Sequence, residues 1–317
     1  MLRFFKITNG LIKEIKKEDE NFATLQKEAN WIDAAEPDDE ERLQLKALLR
    51  TDLPESDDVE EIEASARCFV DQAGIHVHSL FLNQTEGRHK TSTVACILQQ
   101  DRLITIRETE LADFRLLRMR ARRGHILVDS PAHLLVTLLE NKVENHADTL
   151  EDSHRQLEDV SHLVLEDDET ELDTIIEKLA RLEDSNGKIR LCLMDTQRNI
   201  SFLLRHLPNR QDYSETLREV MRDVETLMSH TTFLFDKINF LMDSTQGFIN
   251  IEQNKIIKIF SIASVVFLPP TLVASIYGMN FKLMPELGFD FGYPAALGLM
   301  VFSAFAPYWY FKHRGWL

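Results

Sequence analysis

Two long hydrophobic segments without a charged residue lie near the C-terminus, at 259–277 and 291–311. Each is close to the roughly 20 residues that a helix needs to cross the hydrocarbon core of a bilayer, which is about 30 Å thick. Segments of this length also occur as buried core helices. Here, however, a short polar loop, 278–290, joins the two segments, and a large acidic region precedes them. This layout is typical of a membrane protein whose soluble part comes first and whose two transmembrane helices come last.

Basic residues lie at the outer ends of the pair of membrane segments. Lys255 and Lys258 precede the first segment, and Lys312 and Arg314 follow the second within a basic tail, 312–317. Because positively charged flanks stay on the cytoplasmic side, both large ends of the chain are expected in the cytoplasm. The sequence therefore predicts a multi-pass protein of the inner (plasma) membrane, with the lipid bilayer as one of its partners.

The chain is strongly acidic, with a net charge of −16 over 317 residues. Most of the imbalance falls in 140–184, which holds 16 Asp and Glu residues against 4 Lys and Arg residues. No nucleic-acid partner is expected, since binding to phosphates needs basic patches. An acidic surface suits divalent cations as partners, although the same charge also serves solubility alone.

The soluble part divides into three regions by pattern. Residues 1–125 are expected to form an α/β domain, 126–213 an acidic helical region, and 214–258 a stalk helix that continues into the first span. Within the first region the sequence predicts a hairpin at Asn9-Gly10, a helix with Pro37 in its first turn, and strands at 75–82, 93–98 and 103–107. His76 and His78 share one strand face, but no third metal ligand lies nearby in sequence, so a structural role is favoured.

A seven-residue hydrophobic repeat begins after Ser214 and continues over more than four heptads. Its positions are Leu217, Val220, Val224, Leu227, Thr231, Leu234, Ile238, Leu241, Thr245 and Phe248. No proline interrupts the pattern before Pro269, so one helix of roughly 90 Å is expected to run to Ile276. The repeat also favours parallel self-association of several chains through this stalk.

The polar side chains of the first span fall on one face of the predicted helix. Continued outward at three- and four-residue spacing, this face comprises Asn254, Ile257, Ser261, Ser264, Leu268, Thr271, Ser275 and Gly278. In lipid, such a face turns toward another helix or toward water, so close helix packing and a pore lining are the two alternatives. One such helix cannot enclose a channel, and the second span offers little beyond Ser303. A pore therefore requires the first spans of several chains. The pair Pro269-Pro270 is expected to kink or loosen this helix.

Several motifs resemble the bacterial branch of the CorA family of magnesium and cobalt transport proteins. They are Tyr277-Gly278-Met279-Asn280, Met284-Pro285-Glu286-Leu287, Phe291-Gly292-Tyr293-Pro294, the closing segment 312–317, and the stretches 31–33, 57–67, 190–198 and 247–270. The resemblance covers essentially the whole chain. It implies a membrane homopentamer with an α/β cytosolic domain, long stalk helices and two C-terminal transmembrane helices, of which the first lines the pore.

The resemblance also implies which residues handle the ion. Gly278, Met279 and Asn280 would form the selectivity and ion-binding site, with Asn280 ringing the outer mouth. Neutral amide oxygens there can accept hydrogen bonds from the waters of a hydrated Mg²⁺ ion without trapping it. Asn254 would form a similar ring at the cytosolic end. The constriction would consist of Ile257, Phe260 and Leu268, and Thr271 would lie on the lining.

Gating in the family involves Mg²⁺ bound between subunits on the cytosolic side. The resemblance implies Asp243 as a regulatory ligand here, with Glu219, Asp223 and the acidic tract 140–184 as further candidates. The expected function is Mg²⁺ influx down the electrochemical gradient, with Mg²⁺ both transported and regulatory. Co²⁺ is an alternative substrate, and Ni²⁺ a further one.

Three other classes of function fit the sequence less well. A zinc transporter of the same superfamily is disfavoured because the predicted pore face has no His or Cys, the ligands zinc prefers. A membrane-anchored oligomeric sensor or scaffold would need no polar stripe in its span. An enzyme is not expected, since no nucleotide-binding or common hydrolase motif occurs in the sequence.

Overall fold

The computed structural model describes residues 1–16, 22–49, 67–85, 87–166, 172–208, 210–280, 284–288 and 290–315. The chain divides into two compact units, Met1–Met242 and Asp243–Leu317. Part of the family-like stretch 57–67 and part of the loop 278–290 lie outside the described residues.

The described residues of the first unit include one seven-stranded mixed sheet. Its strands are β1 (Leu2–Thr8), β2 (Leu11–Ile15), β3 (Trp31–Ala35), β4 (Cys68–Val70), β5 (Ile75–Thr85), β6 (Arg88–Leu98) and β7 (Leu103–Arg107). They lie in the order β2-β1-β3-β7-β6-β5-β4, and among these described strands only the β3–β7 pair is parallel. The three strands predicted at 75–82, 93–98 and 103–107 are confirmed. The first two are longer than predicted and together form an extended hairpin.

The predicted turn between β1 and β2 is confirmed by its backbone angles. Asn9 has φ 51° and Gly10 has φ 78°, so both central residues lie in the left-handed region that a type I′ turn requires. The register pairs Thr8 with Leu11, which leaves a two-residue turn between the antiparallel strands. An Asn-Gly pair adopts this geometry at little steric cost, and it sets the hairpin register.

The described helices are α1 (Phe22–Lys27), α2 (Asp39–Leu49), α3 (Ala112–Arg122), α4 (Pro131–Glu166), α5 (Leu172–His206), α6 (Arg210–Tyr277) and α7 (Gly292–His313), with a 3₁₀ turn at Pro285–Gly288. At the start of α2, the Asp38 carboxylate accepts a hydrogen bond from the Glu41 N–H (2.8 Å), and the Glu41 carboxylate accepts one from the Asp38 N–H (3.3 Å). This reciprocal pair is a capping box. Pro37 therefore lies before the cap. The prediction that it lies in the first turn of the helix was wrong.

Helices cover both faces of the sheet. One face packs around Ile32, Leu45 and Ile104, where α2 contributes Leu45. The other packs against α3, α4 and α5 around residues such as Phe81 and Phe114. Because both faces are buried, β3 is buried at every position, and β5 is buried from Ile75 to Leu82. Strands that are buried on both faces lack the alternating exposure of a strand with one solvated face.

A buried charge network fixes α4 and α5 to β5. The fully buried Lys142 of α4 donates a hydrogen bond to Ser79 Oγ (2.8 Å) and lies 3.8 Å from Asp195 Oδ2 of α5. The same oxygen of Asp195 accepts hydrogen bonds from the Leu80 N–H (2.8 Å) and from Asn199 Nδ2 (3.0 Å). Buried charges persist only when paired and hydrogen-bonded, so this network sets the position of the two long helices on the sheet.

The long helix predicted from Ser214 to Ile276 is confirmed as α6, which begins slightly earlier, at Arg210. The heptad stripe within the first unit, however, is already covered by the same chain. Its buried members are Leu217, Val220, Val224, Thr231, Leu234, Ile238 and Leu241, and the aliphatic ones join the core formed with α4 and α5. The Thr231 carbonyl also accepts a hydrogen bond from Asn186 Nδ2 of α5 (2.9 Å). The inference that this stripe supports self-association was therefore wrong, since the repeat packs within one chain.

Candidate ion pathway

The predicted pore face lies along the second unit, on α6 from Asn254 to Ser275 and on the turn that follows. Every member of the predicted stripe is exposed in the single chain. The three bulky apolar residues Ile257, Phe260 and Leu268 are 60%, 68% and 65% exposed. No part of the described chain therefore covers this face, and it is free to meet water, lipid or another chain.

A second stripe on the same part of α6 is less exposed. It consists of Ile262, Val266, Pro269, Val273 and Tyr277, again at three- and four-residue spacing. With 3.6 residues per turn, this covered stripe lies on the side of the helix roughly opposite Ser261, Ser264, Leu268, Thr271 and Ser275. The helix is therefore two-sided, with an open hydroxyl-bearing face and a partly covered apolar face.

The helix of the predicted second span, α7, also has a less exposed face. Ala296 is buried, and Met300, Ser303, Ala304, Pro307 and Phe311 are less exposed than their neighbours. Among the described residues of this unit, α7 is the only α-helix other than the end of α6. The less exposed faces of α6 and α7 are thus the two partly covered faces of this unit, whereas the hydroxyl face of α6 stays exposed.

Two hydroxyl groups on the open face already donate their protons. Ser264 Oγ donates to the Phe260 carbonyl (2.8 Å), and Thr271 Oγ1 donates to the Phe267 carbonyl (2.7 Å). A hydroxyl has one donor and two acceptor lone pairs, so lone pairs remain available to accept hydrogen bonds. The waters around a hydrated cation point their hydrogens outward, and lone pairs of this kind can receive them.

The residues of the predicted outer mouth lie at the end of α6. The Gly278 N–H donates to the Ala274 carbonyl (2.9 Å), and the Met279 N–H donates to the Ile276 carbonyl (3.3 Å), which closes the last turn. A Cβ added at Gly278 would lie 3.1 Å from the Ala274 oxygen, so only glycine fits without displacement. Asn280 follows and is exposed. The carbonyl end of a helix carries partial negative charge, which favours a cation here.

Among the described residues, one helix is long and apolar enough to cross a membrane, Gln211–Tyr277, whose apolar part is the segment 259–277. The predicted second span, 291–311, forms a single helix that ends two residues later, at His313. Its function as a second transmembrane helix stays a prediction.

The candidate regulatory residues are exposed on α6. Glu219 and Asp223 approach Glu140 of α4, whose pKa is raised by partial burial first and then by the charges of Glu144, Glu219 and Asp223. Repulsion of this kind is relieved when a cation binds. Asp243 is also exposed. Within the described part of the chain, no three acidic, His or Cys side chains approach closely enough to hold a metal ion.

The His pair on β5 has structural partners. His76 Nε2 lies 2.9 Å from Asp71 Oδ1, and its ring stacks on Phe69 at a centroid distance of 4.3 Å. Burial lowers the pKa of His78 to about 4, so its ring stays neutral. These contacts agree with the structural role favoured from the sequence.

Comparison with known proteins identifies the family over nearly the whole chain. The family model for the CorA-like Mg²⁺ transporter protein matches residues 26–313. The chain belongs to the CorA family. It is 47% identical over 321 residues to the magnesium transport protein CorA of Escherichia coli K12, with all of both chains covered. It is 48% identical over 322 residues to that of Salmonella typhimurium LT2, again over both full lengths.

The fold agrees with this membership. The CorA magnesium transporter from Methanocaldococcus jannaschii superposes with a TM-score of 0.76 at 18% identity, and the match covers 100% of this chain and 99% of that one. A soluble α/β domain followed by a long helix is thus the CorA fold. The family consists of transporters, which agrees with the expectation that the chain is not an enzyme.

Sequence reasoning identified the open face of α6 but missed two features of the site. The helical period predicts which residues share a face, but it does not show that the apolar face of α6 is less exposed than the hydroxyl face. The approach of Glu140 to Glu219 and Asp223 joins residues about 80 positions apart, and no local pattern signals it.

Proposed function

We propose that several copies of this chain form a passive Mg²⁺ channel in the inner membrane. The observation that carries the proposal is that α6 has two different faces: its hydroxyl face is exposed, and the opposite, apolar face is less exposed. Full-length identity of 47% to a magnesium transport protein supports Mg²⁺ as the cargo. A polar face that its own chain leaves open in a membrane segment needs water or another helix, and a shared central pore supplies both.

The same geometry supports an assembly of several chains. One α6 helix cannot enclose a pore, so the α6 helices of several chains would surround it, with each α7 on the lipid side. The family resemblance favours a homopentamer. In this arrangement 1–125 and 126–213 form the cytosolic domain, 214–258 is the stalk, 278–290 is the extracytoplasmic loop, and both termini lie in the cytoplasm, with 312–317 as a basic tail.

Ion selection would take place at the outer mouth. Mg²⁺ releases its waters reluctantly, so a hydrated ion is the species to be recognised. A ring of Asn280 side-chain oxygens, with Gly278 and Met279 at the end of α6, would accept hydrogen bonds from those waters. Neutral oxygens hold the ion loosely enough for it to leave, which conduction requires. Co²⁺ and Ni²⁺ form hydrated dications as well and are proposed as secondary cargo.

The closed state would depend on the cytosolic half of the pathway. Ile257, Phe260 and Leu268 would form an apolar constriction that excludes water, and Asn254 would ring the entrance below it. Cytosolic Mg²⁺ bound between subunits by Asp243, Glu219 or Asp223 would screen facing carboxylates and hold the constriction closed. The driving force is the membrane potential, about 4.6 kcal/mol for a divalent cation at 100 mV.

Mg²⁺ flux into liposomes containing the purified protein tests the proposal. Asn280→Ala and Ser264→Leu should each reduce flux strongly, because one removes the amide ring and the other replaces an acceptor by an apolar side chain. Ser303→Ala is the matched control, since it removes a hydroxyl from the covered face of α7. Conduction by Asn280→Ala at the wild-type rate would contradict the proposed selectivity site, and zinc flux without Mg²⁺ flux would contradict the proposed cargo.

A further inference from the structure

Two histidines from distant parts of the chain meet between α4 and α6 in the first unit. The ring centroids of His154 and His230 are 5.7 Å apart, and the rings are tilted by 52°. The buried residues Leu157 of α4 and Leu234 of α6 belong to the common core and hold the two helices at this distance. The pair is therefore positioned by the scaffold and does not depend on a loop.

His154 has one nitrogen near a carboxylate and one without a partner. Its Nε2 lies 3.4 Å from Glu158 Oε1, one helical turn further along α4. Its Nδ1 is buried and has no hydrogen-bond partner. Metal-binding histidines commonly use one ring nitrogen for a carboxylate and the other for the metal. Glu158 thus matches the supporting carboxylate, and Nδ1 supplies the free lone pair.

His230 is also suited to bind a metal. Its ring lies 5.7 Å from that of His154, and imidazole is the commonest metal ligand among side chains. Both rings lie against Phe233, at centroid distances of 6.1 and 6.4 Å, which limits water access from that side.

The chemistry of this pair selects its ligand. Imidazole nitrogen suits zinc, cobalt and nickel, whereas Mg²⁺ requires oxygen ligands in an octahedral arrangement. Glu151 and Glu158 are the nearby carboxylates. In the described part of the chain, no three His, Cys, Asp or Glu side chains lie close enough together to hold a metal ion. The metal ligands would therefore be the two imidazoles and water, or the two imidazoles and one carboxylate that reaches the ion after a rotamer change.

We propose that His154 and His230 form a cytosolic binding site for a transition-metal dication, such as Co²⁺, Ni²⁺ or Zn²⁺, that Mg²⁺ does not occupy. The bound ion would link α4 to α6 within the first unit. The site is separate from the proposed ion pathway and does not depend on it. It would allow a protein that handles hydrated divalent cations to respond to the transition metals among them.

Co²⁺ binding to the full-length protein, purified in detergent without a polyhistidine tag, tests this inference. The titration is performed in excess Mg²⁺, which saturates carboxylate sites, and is followed by visible absorption and calorimetry. One Co²⁺ per chain should bind, with a d–d spectrum that indicates nitrogen ligands, and Zn²⁺ should displace it. His154→Phe and His230→Phe should each weaken binding at least about 10–100-fold.

Three further variants distinguish this site from adventitious binding. The double variant should bind Co²⁺ no more tightly than the weaker of the two single variants, because both changes act on one site. Glu158→Gln should weaken binding about 10-fold while leaving both rings in place. His125→Gln, at an exposed histidine after α3, is the matched control and should bind as the wild type does. Wild-type Co²⁺ affinity in the His154 and His230 variants, or no binding in excess Mg²⁺, would overturn the proposal.

Discussion

Replacing His146 by leucine should stabilise the first unit and make its stability less sensitive to acid. His146 lies on α4 and is fully buried, and neither ring nitrogen has a hydrogen-bond partner. Its pKa is lowered to about 3, mainly by burial and further by the charges of Lys142 and His89. The native protein therefore keeps this ring neutral, with its N–H group unpaired.

The expected gain has two parts. A buried donor without a partner costs about 1–3 kcal/mol, which the leucine variant avoids at any pH. In the unfolded chain the ring has a pKa near 6.5, so below that pH the unfolded state binds a proton that the native state does not bind. Stability is therefore lost as pH falls from about 6.5 toward 3, by about 1.4 kcal/mol per pH unit. At pH 5 this second part amounts to about 2 kcal/mol.

Cysteine accessibility provides an assay confined to the first unit. Cys68, Cys96 and Cys192 are the only cysteines of the chain, and Cys96 and Cys192 are buried. Thermal unfolding of the full-length protein is followed with a thiol-reactive dye at pH 7 and pH 5. A unit of this size should shift its midpoint by about 2–4 °C per kcal/mol. His146→Leu should therefore raise the midpoint at pH 7, and raise it by several degrees more at pH 5.

The matched control is His125→Leu, which removes an exposed imidazole from the same unit. It should leave both midpoints near those of the wild type. The reasoning is refuted if His146→Leu melts at or below the wild-type temperature at pH 7. It is also refuted if the gap between variant and wild type does not widen at pH 5, because the burial of a neutral ring would then not govern the acid response.

Three other perturbations follow from the structure. Asp195→Ala should destabilise the first unit by about 3–5 kcal/mol, because it leaves the Lys142 cation buried without its partner, and the same thiol assay would detect an earlier midpoint. Gly278→Ala should reduce Mg²⁺ flux in liposomes, since its new Cβ would lie 3.1 Å from the Ala274 carbonyl; unchanged flux would argue against a tight turn at the mouth. Glu219→Gln combined with Asp223→Asn should weaken inhibition of flux by Mg²⁺ on the cytosolic side, and an unaltered inhibition curve would remove these residues from the proposed gating site.

The success of the sequence-based predictions depended on the range of the interactions involved. The Asn9-Gly10 turn follows from local backbone sterics, and α6 follows from a long periodic pattern, so both were predicted. The partner of the heptad stripe was not, because a period shows which face is buried and not what buries it. β4 has only three residues and β3 lacks alternation, so neither carried a pattern that predicts a strand. The meeting of His154 and His230 depends on tertiary packing, which no local window contains.

The hydroxyl groups of Ser264 and Thr271 have a consequence for anions. Their protons are already bound to carbonyl oxygens of the preceding turn, so neither group has a donor left for a passing chloride ion. Chloride is solvated by donors and would lose that solvation beside these side chains. A pore lined by such hydroxyl groups would favour cations over anions without a fixed carboxylate in the membrane. Burying a carboxylate charge there would be costly.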